Sequence, residues 1–130
     1  MAVRAIIVND NGKVLILKRA DDTLGGGKWC LPGGNIEYDQ TVAEAVALEV
    51  HEETSFTAKD VQFLFYLENL PSLESELHYI NLVFKCRAEG NIHLNRESSE
   101  YAWIDHGDMH NYEFAFKNDL VLEQHWHLST

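Results

Sequence analysis

The segment from Thr41 to Thr54 constrains the fold most, because it is a clearly marked helix between strand-like segments. Thr41 and Glu44 have the T-x-x-E spacing of a capping box, which fixes where the helix begins. At about 100° per residue, one face of the helix carries small and β-branched apolar side chains, namely Val42, Ala45, Val46 and Val50. A helix with one apolar face packs that face against another layer, and the flanking segments indicate a sheet.

The segments around this helix are rich in β-branched and aromatic residues and favour strands. The run VRAIIVNDNGKVLILKR predicts a hairpin around the Asn11-Gly12 turn, and WCLPGG predicts a short strand that ends in a turn. Three more strands are predicted in DVQFLFYLEN, HYINLVFKCRA and EYAWI, with LPSLESEL as a loop between the first two. KNDLVLEQHWHL predicts a closing helix, with Asn118 as its candidate N-cap. This order predicts a single α/β (α+β) domain over residues 1–130, with a mixed sheet between helices.

The charge of the chain limits its partners. The formal net charge is -11, so the surface repels long polyanions, and we expect no DNA or RNA partner. A small phosphorylated ligand remains compatible, because a divalent cation can screen both sides. No apolar run approaches the ~18 residues of a membrane span, and MAVRAIIVNDNG has no apolar signal region. Cys30 and Cys86 fit no metal or redox spacing, so we expect reduced thiols in a cytoplasmic protein without membrane association.

Three glutamates lie in the last two turns of the predicted helix. Glu49 and Glu53 fall inside the apolar stripe, and Glu52 lies at its edge. Acids at a helix C-terminus are unfavourable by about 0.3–1 kcal/mol each, and partial burial adds a desolvation cost. The helix contains no lysine or arginine, and none is near it in the sequence. Bound Mg²⁺ or Mn²⁺ would compensate these charges, since hard cations take carboxylate oxygens; the alternative is a solvated acidic helix end.

The same residues form a pattern that resembles the signature of the Nudix hydrolase family. That signature is G, five residues, E, seven residues, then R-E-U-x-E-E-x-G-U, where U is a bulky apolar residue. Gly34 takes the first glycine position, and LPGG precedes the signature as in the family. The other matching positions are Glu49, Val50, Glu52, Glu53 and Phe56.

The chain departs from the signature at three positions. Gln40 replaces the first glutamate, and Leu48 replaces the arginine that helps to hold the glutamate cluster in the family. Ser55 replaces the glycine at the helix exit, where a left-handed serine would cost up to ~1 kcal/mol. None of the three changes removes a glutamate of the expected metal site, although they alter its surroundings.

The resemblance implies hydrolysis of a nucleoside diphosphate linked to another group, with water and a divalent metal. It implies that Glu52 and Glu53 are metal ligands and that Glu49 is a third ligand or the general base. The carbonyl oxygen of Gly33 or Gly34 is a further implied ligand. Parts of the chain are most similar to the MutT-type branch of the family. Glu97 resembles a further metal ligand of that branch. Loop carboxylates in water are the alternative for Glu97 and for Glu100.

The MutT-type resemblance also implies residues that bind substrate. Arg19 resembles an arginine that contacts the phosphates, and Lys28 faces the same loop; a surface charge is the alternative. Asn118 resembles an asparagine presented to the base, but an N-cap of the last helix is the favoured interpretation, and one residue could do both. The expected reaction converts a nucleoside triphosphate to the monophosphate and pyrophosphate. Alternatives are hydrolysis of ADP-ribose or a nucleotide sugar, or a nucleotide-binding module without turnover. Relatives also suggest a homodimer.

Overall fold

The computed structural model describes residues 1–71 and 78–128. The elements within these residues alternate largely as the sequence predicts. In chain order they are β1 (Ala2–Ile7), β2 (Val14–Arg19), β3 (Trp29–Cys30), β4 (Gly33–Asn35), α1 (Val42–Thr54), β5 (Thr57–Asn69), β6 (Tyr79–Glu89), β7 (Ser98–Ile104), a short 3₁₀ helix (His106–Asn111) and α2 (Asn118–Leu128). The predicted capping box is present, because Thr41 and Glu44 exchange side-chain and backbone hydrogen bonds at the start of α1.

The strands form two sheets in the described part of the chain. The larger sheet has the order β4-β1-β6-β5, with β1 and β6 parallel and the other pairs antiparallel. The smaller sheet has the order β3-β2-β7 and is antiparallel. The larger sheet is therefore mixed, as predicted.

The two helices cover opposite faces of the larger sheet. Alternate side chains of β1 separate the layers: Val3 and Ile7 join the apolar cluster that includes Val46 of α1, whereas Ile6 joins the cluster that includes Val121 and Leu122 of α2. The predicted architecture of a sheet between helices is confirmed. Neither helix in the described residues is both long enough and apolar enough to cross a membrane.

The predicted N-terminal hairpin is wrong as a strand pair. The turn forms, with Gly12 at φ 77°, but β1 and β2 belong to different sheets. The two arms are joined next to the turn, by a bridge between Val8 and Val14 and a hydrogen bond from Asn9 to Lys13. β6 pairs along the whole of β1, and on the other edge β4 pairs with Ala2–Arg4 while Pro32 accepts from Ala5, so most of β1 is unavailable to β2.

The predicted WCLPGG strand is two short strands in separate sheets. Pro32 lies between them, and its carbonyl oxygen accepts a hydrogen bond from Ala5 at 2.8 Å. The chain therefore changes sheets at the residue that cannot donate to a strand ladder. The predicted LPSLESEL loop covers residues 70–77, of which 72–77 lie outside the described residues.

Candidate active site

The three glutamates of α1 occupy three different environments. Glu53 is buried, with 6% of its surface exposed, whereas Glu49 is half-buried and Glu52 is exposed. Glu53 follows Val46 and Val50 at helical spacing, so the face that packs on the sheet carries its carboxylate inward. The predicted placement of Glu49 and Glu53 in the apolar stripe, with Glu52 at its edge, is confirmed.

Two glycines bring the backbone against these carboxylates. The N–H of Gly33 donates to Oε2 of Glu53 at 2.9 Å. A Cβ atom on Gly34 would lie 2.7 Å from the carboxylate of Glu49, closer than side-chain atoms approach one another. A side chain at Gly33 would collide with the carbonyl oxygen of Val3. Gly33 is therefore required for β4 to pack against β1, and a side chain at Gly34 would displace the carboxylate of Glu49.

Glu49 and Glu53 hold protons more tightly than free carboxylates do. Burial raises the pKa of Glu53 to about 8; the hydrogen bond from Gly33 opposes this rise, while Glu49 and Glu97 add to it. Burial also raises the pKa of Glu49, and the carboxylate of Glu52 raises it further. Glu49 and Glu53 share a hydrogen bond, so the pair retains a proton when no cation is present. A cation bound beside them would replace that proton.

Arg4 is a residue of this site that the sequence analysis missed. Its guanidinium lowers the pKa of both Glu49 and Glu53, so a basic side chain acts on these glutamates although none is near them in the sequence. Arg4 pairs with Gly33 across β1 and β4, which brings it close in space although it is far away in sequence. The signal available in the sequence is a single arginine inside the apolar strand AVRAII.

The oxygen donors at this site suit Mg²⁺ or Mn²⁺, which bind carboxylate and carbonyl oxygens. Across the described residues, however, no three His, Cys, Asp or Glu side chains converge into a complete ligand set. Glu49 and Glu53 are adjacent, whereas Glu52 and Glu97 are exposed. Exposed side chains can turn toward an ion, and Mg²⁺ commonly keeps several waters. The chemistry of the donors therefore fits the metal, with two glutamates already in place.

The predicted acids before the tryptophan-bearing strand have different surroundings. Glu97 lies in the turn before β7, and its charge raises the pKa of both Glu49 and Glu53, so it lies on their side of the molecule. Glu100 instead pairs with Lys18 at 3.2 Å on the surface of the smaller sheet. The structure thus brings Glu97, rather than Glu100, toward the candidate metal site.

Arg19 is the last residue of β2, and neighbouring groups hold its side chain. Its guanidinium carbon lies 4.9 Å from the centre of the Phe116 ring, and its Nε donates to the carbonyl oxygen of Leu24. Lys28 pairs with Glu113 at 3.6 Å, and both side chains are largely exposed. A surface pair of this kind contributes little to stability. The geometry therefore distinguishes a positioned arginine from a surface lysine.

Asn118 is the first residue of α2, but among the described residues its side chain makes no capping hydrogen bond to that helix. It is buried, and its Oδ1 accepts a hydrogen bond from the N–H of Leu31 at 2.7 Å. Its Nδ2 donates to the carbonyl oxygen of Phe116 at 3.3 Å. The N-cap prediction is wrong because this amide connects α2 to the segment that carries Gly33.

The three departures from the signature have distinct local contacts. Oε1 of Gln40 accepts a hydrogen bond from the N–H of Glu37 at 2.9 Å in the loop before α1. Leu48 is exposed on α1. Ser55 has φ 68° and ψ 2°, so the left-handed conformation considered from the sequence is confirmed. Its Oγ donates to the carbonyl oxygen of His93 at 3.0 Å, which a glycine could not do.

Comparison with known proteins gives consistent matches. A MutT-like protein from Streptomyces ambofaciens is 30% identical over 80% of this chain, which spans 62% of that protein's length. Nucleoside triphosphatase NudI of Escherichia coli is 28% identical, with 82% of this chain and 83% of the relative covered. The crystal structure of a MutT NUDIX hydrolase from Burkholderia pseudomallei superposes with a TM-score of 0.82 at 24% identity, over 95% of each chain.

The family model described as NUDIX domain matches residues 1–124 of the chain. This match covers both sheets, the glutamate-bearing helix and the glycines that contact it. The chain belongs to the Nudix hydrolase family.

Proposed function

We propose that the protein uses Mg²⁺ or Mn²⁺ to hydrolyse a nucleoside triphosphate to the monophosphate and pyrophosphate. The observation that carries the proposal is the carboxyl pair of buried Glu53 and half-buried Glu49, with Gly33 donating to Glu53. Both carboxyls have raised pKa values, so a divalent cation would stabilise their ionised forms. The similarity to a MutT-like protein and to a nucleoside triphosphatase supports triphosphates as the substrate class.

Each residue then has a separate task. Glu52 and Glu53 would hold the cation, with Glu97 and a carbonyl oxygen of Gly33 or Gly34 as further ligands. Glu49 would be a third glutamate ligand or the general base. When bound, the cation neutralises phosphate oxygens and lowers the pKa of a water. A glutamate that is not engaged by the cation accepts the proton of the attacking water.

The basic side chains act on the phosphates and on the glutamates. The planar guanidinium of Arg19 can donate two parallel hydrogen bonds to a phosphate. Arg4 offsets part of the negative charge of the glutamates, a task that the signature arginine would have at Leu48. Lys28, paired with Glu113 on the surface, adds positive charge along the approach of the substrate.

The setting of the reaction is also part of the proposal. We propose a small nucleotide rather than a long nucleic acid as the partner, because the net charge is -11. Cys30 and Cys86 are buried free thiols, as is usual in the reducing cytoplasm.

A homodimer is supported by β5, an edge strand that exposes Phe63 and Tyr66.

The test is a substrate panel with Mg²⁺ or Mn²⁺, in which the products are identified. The panel contains nucleoside triphosphates, dinucleotides, nucleotide sugars and ADP-ribose. We expect a monophosphate and pyrophosphate in equal amounts from at least one triphosphate. Glu53→Gln should reduce that turnover by about 100-fold or more, since it removes a charged ligand. Glu89→Gln, a matched change at an exposed glutamate on β6, should leave it unchanged.

Two results would change the proposal. Faster hydrolysis of ADP-ribose or a nucleotide sugar than of any triphosphate would replace the substrate class. A folded protein that binds metal and nucleotide but turns over nothing on the panel would favour the binding module.

A further inference from the structure

We propose that Asn81 selects the base of the nucleotide, through its amide at the wall of a pocket between β5, β6 and the start of α2. The inference rests on the proposed function only in taking a nucleotide as the ligand. The sequence indicated Asn118 for this role, but that amide already accepts a hydrogen bond from Leu31. Asn81 is the buried asparagine whose side chain still has an acceptor to offer.

Asn81 is a polar residue in a position suited to an apolar one. Its exposed fraction is 6%, and Oδ1 is buried without a hydrogen-bond partner among the described residues. Residues two apart on β6 share a face, and the next on this face, Val83, packs with Val121 and Leu122 of α2. A buried amide oxygen without a partner is costly and uncommon in folded proteins. A ligand that donates a hydrogen bond would remove this cost.

A cavity of about 60 Å³ lies next to this amide. Its walls combine the apolar and aromatic side chains of Leu67, Phe116, Leu120 and Val121 with the polar ones of Glu68, Asn69, Asn81 and Lys117. A cavity of this size admits the polar edge of a flat heterocycle rather than the whole ring, and its fixed polar groups can orient that edge. The ring can pack against Phe116 and the apolar wall, and an N–H on its edge can donate to Oδ1 of Asn81.

Phe116 connects this pocket with the candidate active site. The guanidinium carbons of Arg19 and Arg4 lie 4.9 and 5.8 Å from its ring centre. Phe116 and Lys117 have φ values of 55° and 58°, a left-handed conformation that is rare for residues other than glycine. Such backbone strain is found more often at ligand sites than elsewhere. The same ring therefore lines the pocket and contacts both Arg19 and Arg4, and the charge of Arg4 acts on Glu49 and Glu53.

The spacing across the sheet suits one nucleotide. Ala2 of β1 pairs with Asn81 on one side and with Asn35 of β4 on the other. Neighbouring strands lie about 4.8 Å apart, so Asn81 is about 10 Å from the backbone of β4. Gly34, which contacts Glu49, is the next residue on β4. Asn81 faces α2 and the glutamates lie on the α1 face, but β4 is the edge strand of the sheet. A nucleotide with its base at Asn81 can extend its phosphates around β4 toward the glutamates.

The test measures binding without hydrolysis, so it does not depend on the proposed reaction. Affinities of the full chain for AMP, GMP, CMP, UMP and ribose 5-phosphate are measured by calorimetry in the presence of a chelator. We expect at least one monophosphate to bind about 10-fold more tightly than ribose 5-phosphate. Asn81→Leu should weaken that nucleotide by about 5- to 150-fold, the range of one good amide–base pair, and should leave ribose 5-phosphate unchanged.

Two controls separate base selection from folding. Asn81→Leu should melt at the wild-type temperature or above, because it removes an unpartnered buried oxygen. Asn91→Leu, at an exposed asparagine outside the cavity, should keep the wild-type ranking of nucleotides. Asn81→Val, a β-branched residue suited to a strand and without a polar side-chain atom, repeats the test with the acceptor removed.

Three results would overturn the assignment. One is an unchanged ranking of the four nucleotides in both Asn81 variants. Another is wild-type binding of ribose 5-phosphate as tight as that of every monophosphate. A third is failure of both variants to fold, which would make the amide structural. Absence of hydrolysis on the substrate panel would contradict the proposed function and leave this inference standing.

Discussion

Glu53 should make the metal-free protein less stable as the pH rises. Its carboxyl has a pKa of about 8 in the folded protein, compared with 4.5 for the free group, mainly because it is buried. The folded state therefore keeps a proton that the unfolded chain releases. The contribution of Glu53 to stability is complete below about pH 4.5 and is lost progressively as the pH rises toward 8. At 1.36 kcal/mol per pKa unit, the loss is on the order of a few kcal/mol.

Thermal melting between about pH 5 and pH 9 in the presence of a chelator measures this effect. Glu53→Gln keeps an oxygen that can accept from Gly33 but cannot ionise, so it should flatten the curve and exceed wild-type stability above about pH 8. Glu52→Gln removes the same charge at an exposed position and should keep most of the slope. Parallel curves for wild type and Glu53→Gln would contradict the burial-driven shift.

Ser55 should be nearly equivalent to glycine at the exit of α1. Its left-handed backbone, at φ 68°, costs up to about 1 kcal/mol, but its hydrogen bond to His93 returns about 0.5–1.5 kcal/mol. We therefore expect Ser55→Gly to change the free energy of unfolding by less than about 0.5 kcal/mol. Ser55→Ala keeps the strain and loses the hydrogen bond, so it should destabilise by about 1 kcal/mol. Denaturant unfolding of both variants measures this, and a marked gain in Ser55→Gly would show that strain dominates.

At the scale of elements, Asn118 connects α2 to the segment that carries Gly33. Asn118→Ala leaves the N–H of Leu31 without its acceptor, so we expect a loss of about 1–3 kcal/mol of stability. The amide of Leu31 should exchange hydrogen faster, and turnover should fall by a similar factor for every base. Hydrogen exchange and kcat/KM for four nucleotides measure these effects.

Asp119→Ala, at the exposed neighbour in the first turn of α2, is the matched control for this change. It removes only a favourable charge at a helix N-terminus, worth about 0.3–1 kcal/mol. A change in base preference in Asn118→Ala, with Leu31 exchange unchanged, would restore the base-reading role that the resemblance implied.

The elements that the sequence predicted are those that local pattern determines. The start of α1 follows from two residues three apart, and β5, β6 and β7 follow from continuous β-branched and aromatic runs. The hairpin failed because the pairing of β1 depends on β4 and β6, which compete for its edges from elsewhere in the chain. Which strand pairs with β1 depends on the packing of the whole domain, and an Asn-Gly turn carries no information about that packing.

In the candidate site, too, the sequence predicted what local pattern determines and missed what depends on contacts between distant segments. The inward placement of Glu49 and Glu53 was predictable because both lie on one helix with a fixed period. Arg4 was missed because only strand pairing brings it to Gly33. The partner of Asn118 lies 87 residues away in sequence, so a capping role was the available local interpretation. In the sequence, Asn81 is simply an amide side chain within an apolar strand. Its importance becomes visible only from the structure, where its Oδ1 is buried without a partner among the described residues.

At the scale of the whole molecule, divalent metal should raise the melting temperature. Binding to the folded state at a tenfold excess over the dissociation constant stabilises it by about 1.4 kcal/mol, or about 4–6 °C for a chain of this size. The ionised glutamates are the binding form, so the rise should shrink near pH 5, where Glu53 retains its proton. Glu53→Gln should remove most of the rise at about pH 8.

The net charge of -11 offers a competing explanation, because any salt relieves repulsion between surface charges. NaCl at matched ionic strength is therefore the control, and it should raise the melting temperature of wild type and Glu53→Gln by the same small amount. MgCl₂ or MnCl₂ should exceed NaCl in wild type alone, since specific binding needs the carboxylate of Glu53. Equal responses to MgCl₂, MnCl₂ and NaCl in wild type would mean that screening accounts for the effect. In that case Arg4 and retained protons, rather than a metal, would compensate the glutamates of α1.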